Sequence, residues 1–254
     1  MAAFPESWWR DRPLVFGHRG ASHAAPQNTL AAFRAAVEAG ADGVELDVYL
    51  SADGIPVVIH DEDVSSTTDG SGYITQMPLA QIKALDAGST FSPAFAGEPI
   101  PTLEEVLAEV GHKLLIDIEL KYSPHQQGLE AAVASLVARM GLQERLWFSS
   151  FHPHTLYAIR QLAPAIPCGL LYDPMSFGTR LLGIVTPHEA IHPQAALVRG
   201  SLVRRAHRHH RRVVVWTVDD APTARRMARR QVDVVITNEP ARLLAALTDE
   251  EEGG

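Results

Sequence analysis

Four short stretches of this 254-residue chain carry side chains able to do chemistry together. Gly17-His18-Arg19-Gly20 follows the apolar run Leu14-Val15-Phe16. In Val44-Glu45-Leu46-Asp47-Val48 polar and apolar residues alternate. Successive side chains on a strand point to opposite faces, so Glu45 and Asp47 share one face. Val57-Val58-Ile59-His60-Asp61 puts a second histidine directly after β-branched residues, at a strand end. Asp117-Ile118-Glu119-Leu120-Lys121 repeats the alternation and adds a further carboxylate and an ammonium. Two carboxylates on an inward face repel unless something positive separates them, and carboxylate oxygens are the donors that Mg²⁺ or Ca²⁺ prefers. His18 and His60 exchange protons near neutrality, as an acid–base pair requires. Arg19 offers a planar fork that matches phosphate oxygens. Gathered at one mouth, these groups suit metal-assisted phosphoryl transfer. Asp117 keeps three readings: a metal ligand, a structural partner of Lys121, or a strand-end hydrogen bond.

Such groups meet only if the strands carrying them end side by side. Short β-branched runs alternate with longer helical patterns, the order expected of parallel strands joined by helices. Strands are predicted at Leu14–Gly17, Gly43–Leu50, Lys113–Leu120, Leu146–Phe151, Gly169–Tyr172, Arg212–Val218 and Val232–Thr237. A further strand around Ala190–His192 completes eight. Helices are predicted at Asn28–Ala39, Thr102–Val110, Leu129–Met140, His154–Leu162, Ser201–His209, Pro222–Arg230 and Pro240–Leu247. Thr102 and Glu105 have capping-box spacing, and Gly40 is placed to stop the first helix. Ile55–His60 is one more extended run, reached through the turn Asp53-Gly54. The expected fold is an α/β TIM barrel, in which active-site residues lie at the C-terminal ends of the strands. Residues 61 to 101 break the alternation with Ser, Thr, Gly and Pro, and read as an insertion. No linker divides the chain, which points to one catalytic domain over 1–254.

Composition narrows the partners. The chain is 46% hydrophobic with a formal net charge of −8, which disfavours general binding to nucleic acid or anionic membrane. No stretch approaches the roughly 20 apolar residues of a membrane span. Met1 to Pro13 lacks the apolar core of a signal peptide, so a cytoplasmic protein without a stable membrane anchor is expected. The only cysteine, Cys168, excludes an intramolecular disulfide and reads as a buried structural thiol. His207 to His210, set among arginines, read as a solvated helix end rather than a metal or nucleic-acid site. The acidic end 249–254 reads as solvated.

These motifs together resemble the glycerophosphodiester phosphodiesterase family. The similarity runs through His18-Arg19-Gly20-Ala21-Ser22, Ala25-Pro26-Gln27-Asn28-Thr29, Glu45-Leu46-Asp47-Val48, Val57 to Asp61, Pro101-Thr102-Leu103 and Glu119-Leu120-Lys121. It continues through Ser149-Ser150-Phe151, His192-Pro193, Trp216-Thr217-Val218 and Val235-Ile236-Thr237-Asn238. The resemblance implies a TIM barrel that hydrolyses small glycerophosphodiesters to glycerol 3-phosphate and an alcohol. It implies Glu45, Asp47 and Glu119 as ligands of one divalent cation, Mg²⁺ or Ca²⁺, and His18 and His60 as the acid–base pair. His18 is assigned as base and His60 as acid, with roles that can swap between half-reactions. Arg19 and Lys121 would hold the phosphate, and Trp216 would wall the glycerol or leaving group. The attacker is either water or the substrate's own glycerol hydroxyl; the resemblance favours the hydroxyl. Two departures stand out: Gln27 replaces a usual Glu near the metal region, and Asp219 replaces a usual Asn beside the alcohol pocket. A lysophospholipase D-type enzyme acting on lipids and a non-catalytic phosphodiester-binding barrel are the alternatives. Loss of a histidine or ligand would favour the non-catalytic barrel, and none is lost.

Overall fold

The structure is a computed structural model, and it describes residues 2–175 and 186–248. β1 (Leu14–His18) pairs in parallel with β2 (Gly43–Leu50) on one side and β9 (Val234–Thr237) on the other. Between these run β4 (Leu115–Leu120), β5 (Leu146–Ser150), β6 (Cys168–Tyr172), β7 (Ala190–Pro193) and β8 (Arg212–Val215). Each is parallel to its neighbours, so eight strands close a barrel in the order β1-β2-β4-β5-β6-β7-β8-β9. β7 is the eighth strand that the sequence placed near Ala190.

Around the barrel lie α1 (Leu30–Glu38), α3 (Leu103–Val110), α4 (Leu129–Met140), α5 (Pro153–Leu162), α6 (Gly200–Arg208), α7 (Ala221–Arg229) and α8 (Pro240–Thr248). The apolar residues of β2 and β4, such as Val44, Leu46, Ile116 and Ile118, face outward into one cluster with Phe33, Leu107 and Val133 of the helices. Burying that face leaves the alternate residues, Glu45, Asp47, Asp117 and Glu119, pointing into the barrel. The barrel floor is apolar: Phe16, Leu115, Trp147, Val214 and Val234 pack there. Phe4 and Trp8 close it from below, with ring centroids 5.5 and 5.8 Å from Trp147.

The insertion grows out of β2. Val48 to Leu50 run past the barrel and pair antiparallel with β3 (Pro56–Val58). Gly54 makes the turn with φ +83°, where a side chain would be strained. β3 is therefore not a barrel strand, and it carries the chain back toward the mouth. Residues 61 to 101 then form short turns and a one-turn helix, α2 (Leu79–Ile82), held by their own cluster of Val57, Val64, Ile74, Ile82 and Ile100.

Of the boundaries that differ from the sequence expectation, three have a clear physical context. α1 starts at Leu30 because Asn28 has φ +58°, leaving Thr29 to cap the helix by accepting from Ala32 N at 3.3 Å. β4 starts at Leu115, after a turn in which Lys113 and Leu114 bond back to Val110. β8 stops at Val215, beyond which the Trp216–Thr217 peptide is cis. The capping box on α3 is present as expected. Cys168 is buried, and burial pushes its thiol up to about 12, so it is inert. The acidic end 249–254 lies outside the described residues. No helix among the described residues is long and apolar enough to cross a membrane.

Candidate active site

Strand register assembles the site. Glu45 sits beside Asp117, and Asp47 beside Glu119, on adjacent parallel strands. Oxygens of Glu45, Asp47 and Glu119 lie within 4.8 Å of one another, all three side chains buried. At that spacing each pair of ionised carboxylates repels by about 3 kcal/mol in an effective dielectric near 20. Two cations answer them. Lys121 Nζ lies 3.0 Å from Glu119 Oε1 and 3.3 Å from Asp47 Oδ1. Arg19 Nε lies 3.4 Å from Asp47 Oδ2, and the Arg19 backbone N–H donates to Glu45 Oε2 at 3.1 Å. Asn28 Nδ2 donates to Asp47 Oδ2 at 2.8 Å.

Three carboxylates against two cations leave one negative charge without a partner, and the titration of the group reflects this. Burial acts to raise Asp47, but Lys121 and Arg19 overcome it and hold Asp47 below the usual carboxylate range. Glu119 is pushed up to about 7, by burial first, with Lys121 opposing and Asp47 adding. Burial, then Asp47 and Glu119, push Glu45 well above the ordinary range. Carboxyls that give up their charge this readily, yet are packed oxygen to oxygen, fit a hard cation that would restore it.

The two histidines reach this group from different strands, β1 and β3. His18 ends β1, with Nε2 4.0 Å from Glu45 Oε2 and Nδ1 2.8 Å from Asn238 Oδ1. Burial, then Arg19, lower it to about 4. His60 follows β3, where Ile59 N donates to Asp47 O at 3.0 Å, and its Nδ1 lies 2.8 Å from Asp61 Oδ1. Burial lowers His60 as well, with Asp47 opposing. Both rings are therefore neutral near pH 7.

His18, His60, Arg19, Glu45 and Glu119, with Asp117, line a cavity of about 150 Å³. Phe151, Leu171, Trp216 and Ile236 form its apolar side. The Trp216 indole is fixed by Nε1 donating to His192 O at 2.8 Å and by an edge-on contact with Phe151 at 5.6 Å. Beyond His18 and Arg19 a second cleft, of about 430 Å³, opens toward the insertion residues Ser66, Thr67, Thr90 and Phe91. A charged, partly buried pole and an apolar wall match a phosphate joined to a short polyol.

All eight residues singled out in the sequence converge here. Asp117 does not partner Lys121, whose ammonium goes to Asp47 and Glu119. It lies beside Glu45, two residues below Glu119 on β4 and outside the three-carboxylate group, with His192 Nδ1 at 3.4 Å, and burial pushes its carboxyl well above the ordinary range. Gln27 touches the site through Arg19, whose Nη1 donates to its Oε1 at 2.5 Å. Asp219 does not line the cavity; its carboxylate binds Thr237 and Asn238. The histidine–arginine cluster lies at the other end of the barrel, where His207 Nε2 is 2.8 Å from Asp233 Oδ2. Among the described residues no metal-type group includes it.

The sequence reading gave no role to Asn28, Ser22 or Asn238. Asparagine readily adopts positive φ and bonds in two directions, so an Asn at position 28, where the helix was expected to begin, was the available signal.

Comparison with known proteins gives the family. Residues 18–242 match the sequence profile of the glycerophosphoryl diester phosphodiesterase family. A glycerophosphodiester phosphodiesterase of Caldanaerobacter subterraneus subsp. tengcongensis is 39% identical, covering 92% of this chain and 97% of its own. The structure of an Oleispira antarctica phosphodiesterase in complex with the product sn-glycerol-3-phosphate superposes with a TM-score of 0.84. It is 33% identical and covers 93% of this chain and 97% of its own. A glycerophosphodiester phosphodiesterase of Agrobacterium tumefaciens gives a TM-score of 0.81 at 31% identity, covering 92% of this chain and 99% of its own. With this barrel, this acidic mouth and these relatives, the chain belongs to the glycerophosphoryl diester phosphodiesterase family and is a phosphoric diester hydrolase.

Proposed function

We propose that residues 1–254 act as one catalytic domain that hydrolyses small glycerophosphodiesters to glycerol 3-phosphate and an alcohol, by metal-dependent histidine acid–base catalysis. The observation that carries the reading is the buried group of Glu45, Asp47 and Glu119, flanked by Arg19 and Lys121, with His18 and His60 lining the same cavity. The glycerol 3-phosphate bound by the Oleispira relative supports the substrate class.

Glu45, Asp47 and Glu119 would hold the cation, Mg²⁺ or Ca²⁺, by their carboxylate oxygens. Such a cation supplies positive charge where the phosphoryl oxygens gather negative charge in the transition state. With all three carboxylates ionised against Arg19 and Lys121, a divalent cation would bring the group to a single positive charge, which suits a monoanionic diester. Arg19 and Lys121 would grip the phosphate, and Trp216 with Phe151 would shelter the glycerol. His18 would take the proton from the attacking oxygen, and His60 would protonate the departing alkoxide. If the substrate's own glycerol hydroxyl attacks, the two histidines exchange roles when water opens the cyclic phosphate.

The test is product identity. Glycerophosphocholine should give glycerol 3-phosphate and free choline, read by an assay coupled to glycerol 3-phosphate oxidation. Phosphocholine and glycerol would show cleavage of the other ester bond and contradict the reading. Faster turnover of lysophosphatidylcholine, with lysophosphatidate as product, would replace it with the lipid-directed alternative.

A further inference from the structure

Asp219 follows β8 on the turn beyond Trp216, outside the cavity wall, yet three hydrogen bonds converge on its carboxylate. Oδ1 accepts from the Thr237 hydroxyl at 3.0 Å and from the Asn238 backbone N–H at 2.8 Å. Oδ2 accepts from Asn238 Nδ2 at 2.7 Å. A carboxylate has only acceptors, so the edge of the Asn238 amide that faces it is the NH₂ edge. The amide is thereby turned with Oδ1 on the far side. There Oδ1 accepts from the Ser22 hydroxyl at 2.7 Å and faces His18 Nδ1 at 2.8 Å. A carbonyl oxygen opposite Nδ1 requires a hydrogen on that nitrogen. In a neutral imidazole the other nitrogen is then bare. That nitrogen, Nε2, is the one on the carboxylate side, 4.0 Å from Glu45 Oε2.

We infer that Asp219 is a positioning residue for this reaction: through Asn238 it fixes the Nδ1–H tautomer of His18, so that the bare Nε2 faces the substrate. The inference rests on the reading of His18 as the base. It gives the carboxylate at position 219 a task that an amide there cannot perform with Asn238 as its partner. In Asp219→Asn the new Oδ1 can still accept from Thr237 and the Asn238 N–H, but its NH₂ then meets the NH₂ of Asn238. The conflict is relieved when the Asn238 amide turns over. Its NH₂ then faces His18 Nδ1, which must become the acceptor, and the ring hydrogen moves to Nε2. The exchange Asp219→Asn with Asn238→Asp restores the pattern at unchanged total charge: the NH₂ of the new amide meets one oxygen of the new carboxylate, and the other oxygen again accepts from His18 Nδ1.

The test combines turnover of glycerophosphocholine with nitrogen-15 spectra of the histidine side chains, in which a protonated and a bare ring nitrogen are distinct. Wild type should show His18 protonated at Nδ1 and bare at Nε2. Asp219→Asn should reverse this and lower kcat on the order of 10² to 10⁴-fold, as loss of the correct histidine tautomer does in other hydrolases, with KM little changed. The double exchange should return both the spectrum and kcat close to wild type. An Nε2–H tautomer in wild type overturns the inference by itself, whether or not either variant folds. So does an Asp219→Asn enzyme with wild-type kcat, or a double exchange no better than the single one. The spectra need no turnover, so a chain that failed to hydrolyse glycerophosphodiesters would overturn the proposed substrate and leave the tautomer assignment to be judged separately.

Discussion

His18 and His60 flank the same carboxylates, but their surroundings differ. The His18 ring is backed by a neutral amide and the His60 ring by the carboxylate of Asp61. An amide partner leaves His18 a weakly basic acceptor, whereas Asp61 works against the burial that lowers His60 and so eases the protonation that the proposed acid would need. His18→Ala and His60→Ala should each lower kcat by roughly 10² to 10⁴-fold with little loss of folded stability. A nitrophenyl leaving group needs no proton, so it should partly rescue His60→Ala and not His18→Ala; equal rescue of both would refute the assignment. Gln27 acts through Arg19. Gln27→Glu places its charge against that guanidinium, so the change should appear in KM for the diester more than in metal affinity. Metal titrations that tighten with KM unchanged would show the charge reaching the cation directly. That Glu45, Asp47, Glu119 and the histidines meet at one mouth was legible because residue type and strand period both pointed there. Asn28 and Asn238 were not, since an amide advertises no charge and its use depends on which neighbour it faces.

Among the elements, β2 and β4 were the easiest to read. Both faces of a barrel strand are buried, but only the outer one packs on helices, so acidic residues at period two on an otherwise apolar strand can only face inward. β3 was harder. Its apolar run and terminal histidine announced a strand ending at the site, and nothing in a two-residue period encodes that the strand runs antiparallel and outside the barrel. Phe4 and Trp8 close the floor without any period at all, so their task was invisible before the barrel existed to be plugged. The capping box was legible because its partners lie within one turn. Thr102 accepts from Glu105 N at 3.1 Å, and Glu105 accepts from Thr102 N at 2.7 Å. Thr102→Ala should cost about 1 kcal/mol in urea unfolding and leave kcat unchanged, because α3 packs on the outer face of the strands. A drop in kcat beyond about twofold would mean that the barrel transmits strain at its outer helices to the mouth.

For the whole molecule, the barrel stays folded while holding ionisable groups out of water, and this sets its response to pH. Burial, then Arg211, lower His188 to about 4, and burial lowers His192 to about 3. The unfolded chain protonates these rings below about 6.5, while the folded chain resists. Their contribution is therefore present at pH 7 and lost as pH falls from about 6.5 toward those lower values, by up to about 1.4 kcal/mol per pH unit for each ring. His188→Gln should narrow the difference in urea stability between pH 7 and pH 4.5, and an unchanged difference would contradict the burial argument. A cation held by the proposed carboxylate site would likewise reinforce folding, since a ligand held only by the folded state stabilises it. The most direct measurement is kcat for glycerophosphocholine on enzyme stripped by exhaustive chelation, then titrated with Mg²⁺ or Ca²⁺, beside Glu119→Gln treated alike. The account predicts no turnover after stripping, recovery on titration, and a titration shifted to higher metal concentration in Glu119→Gln. Full turnover by the stripped enzyme would contradict it.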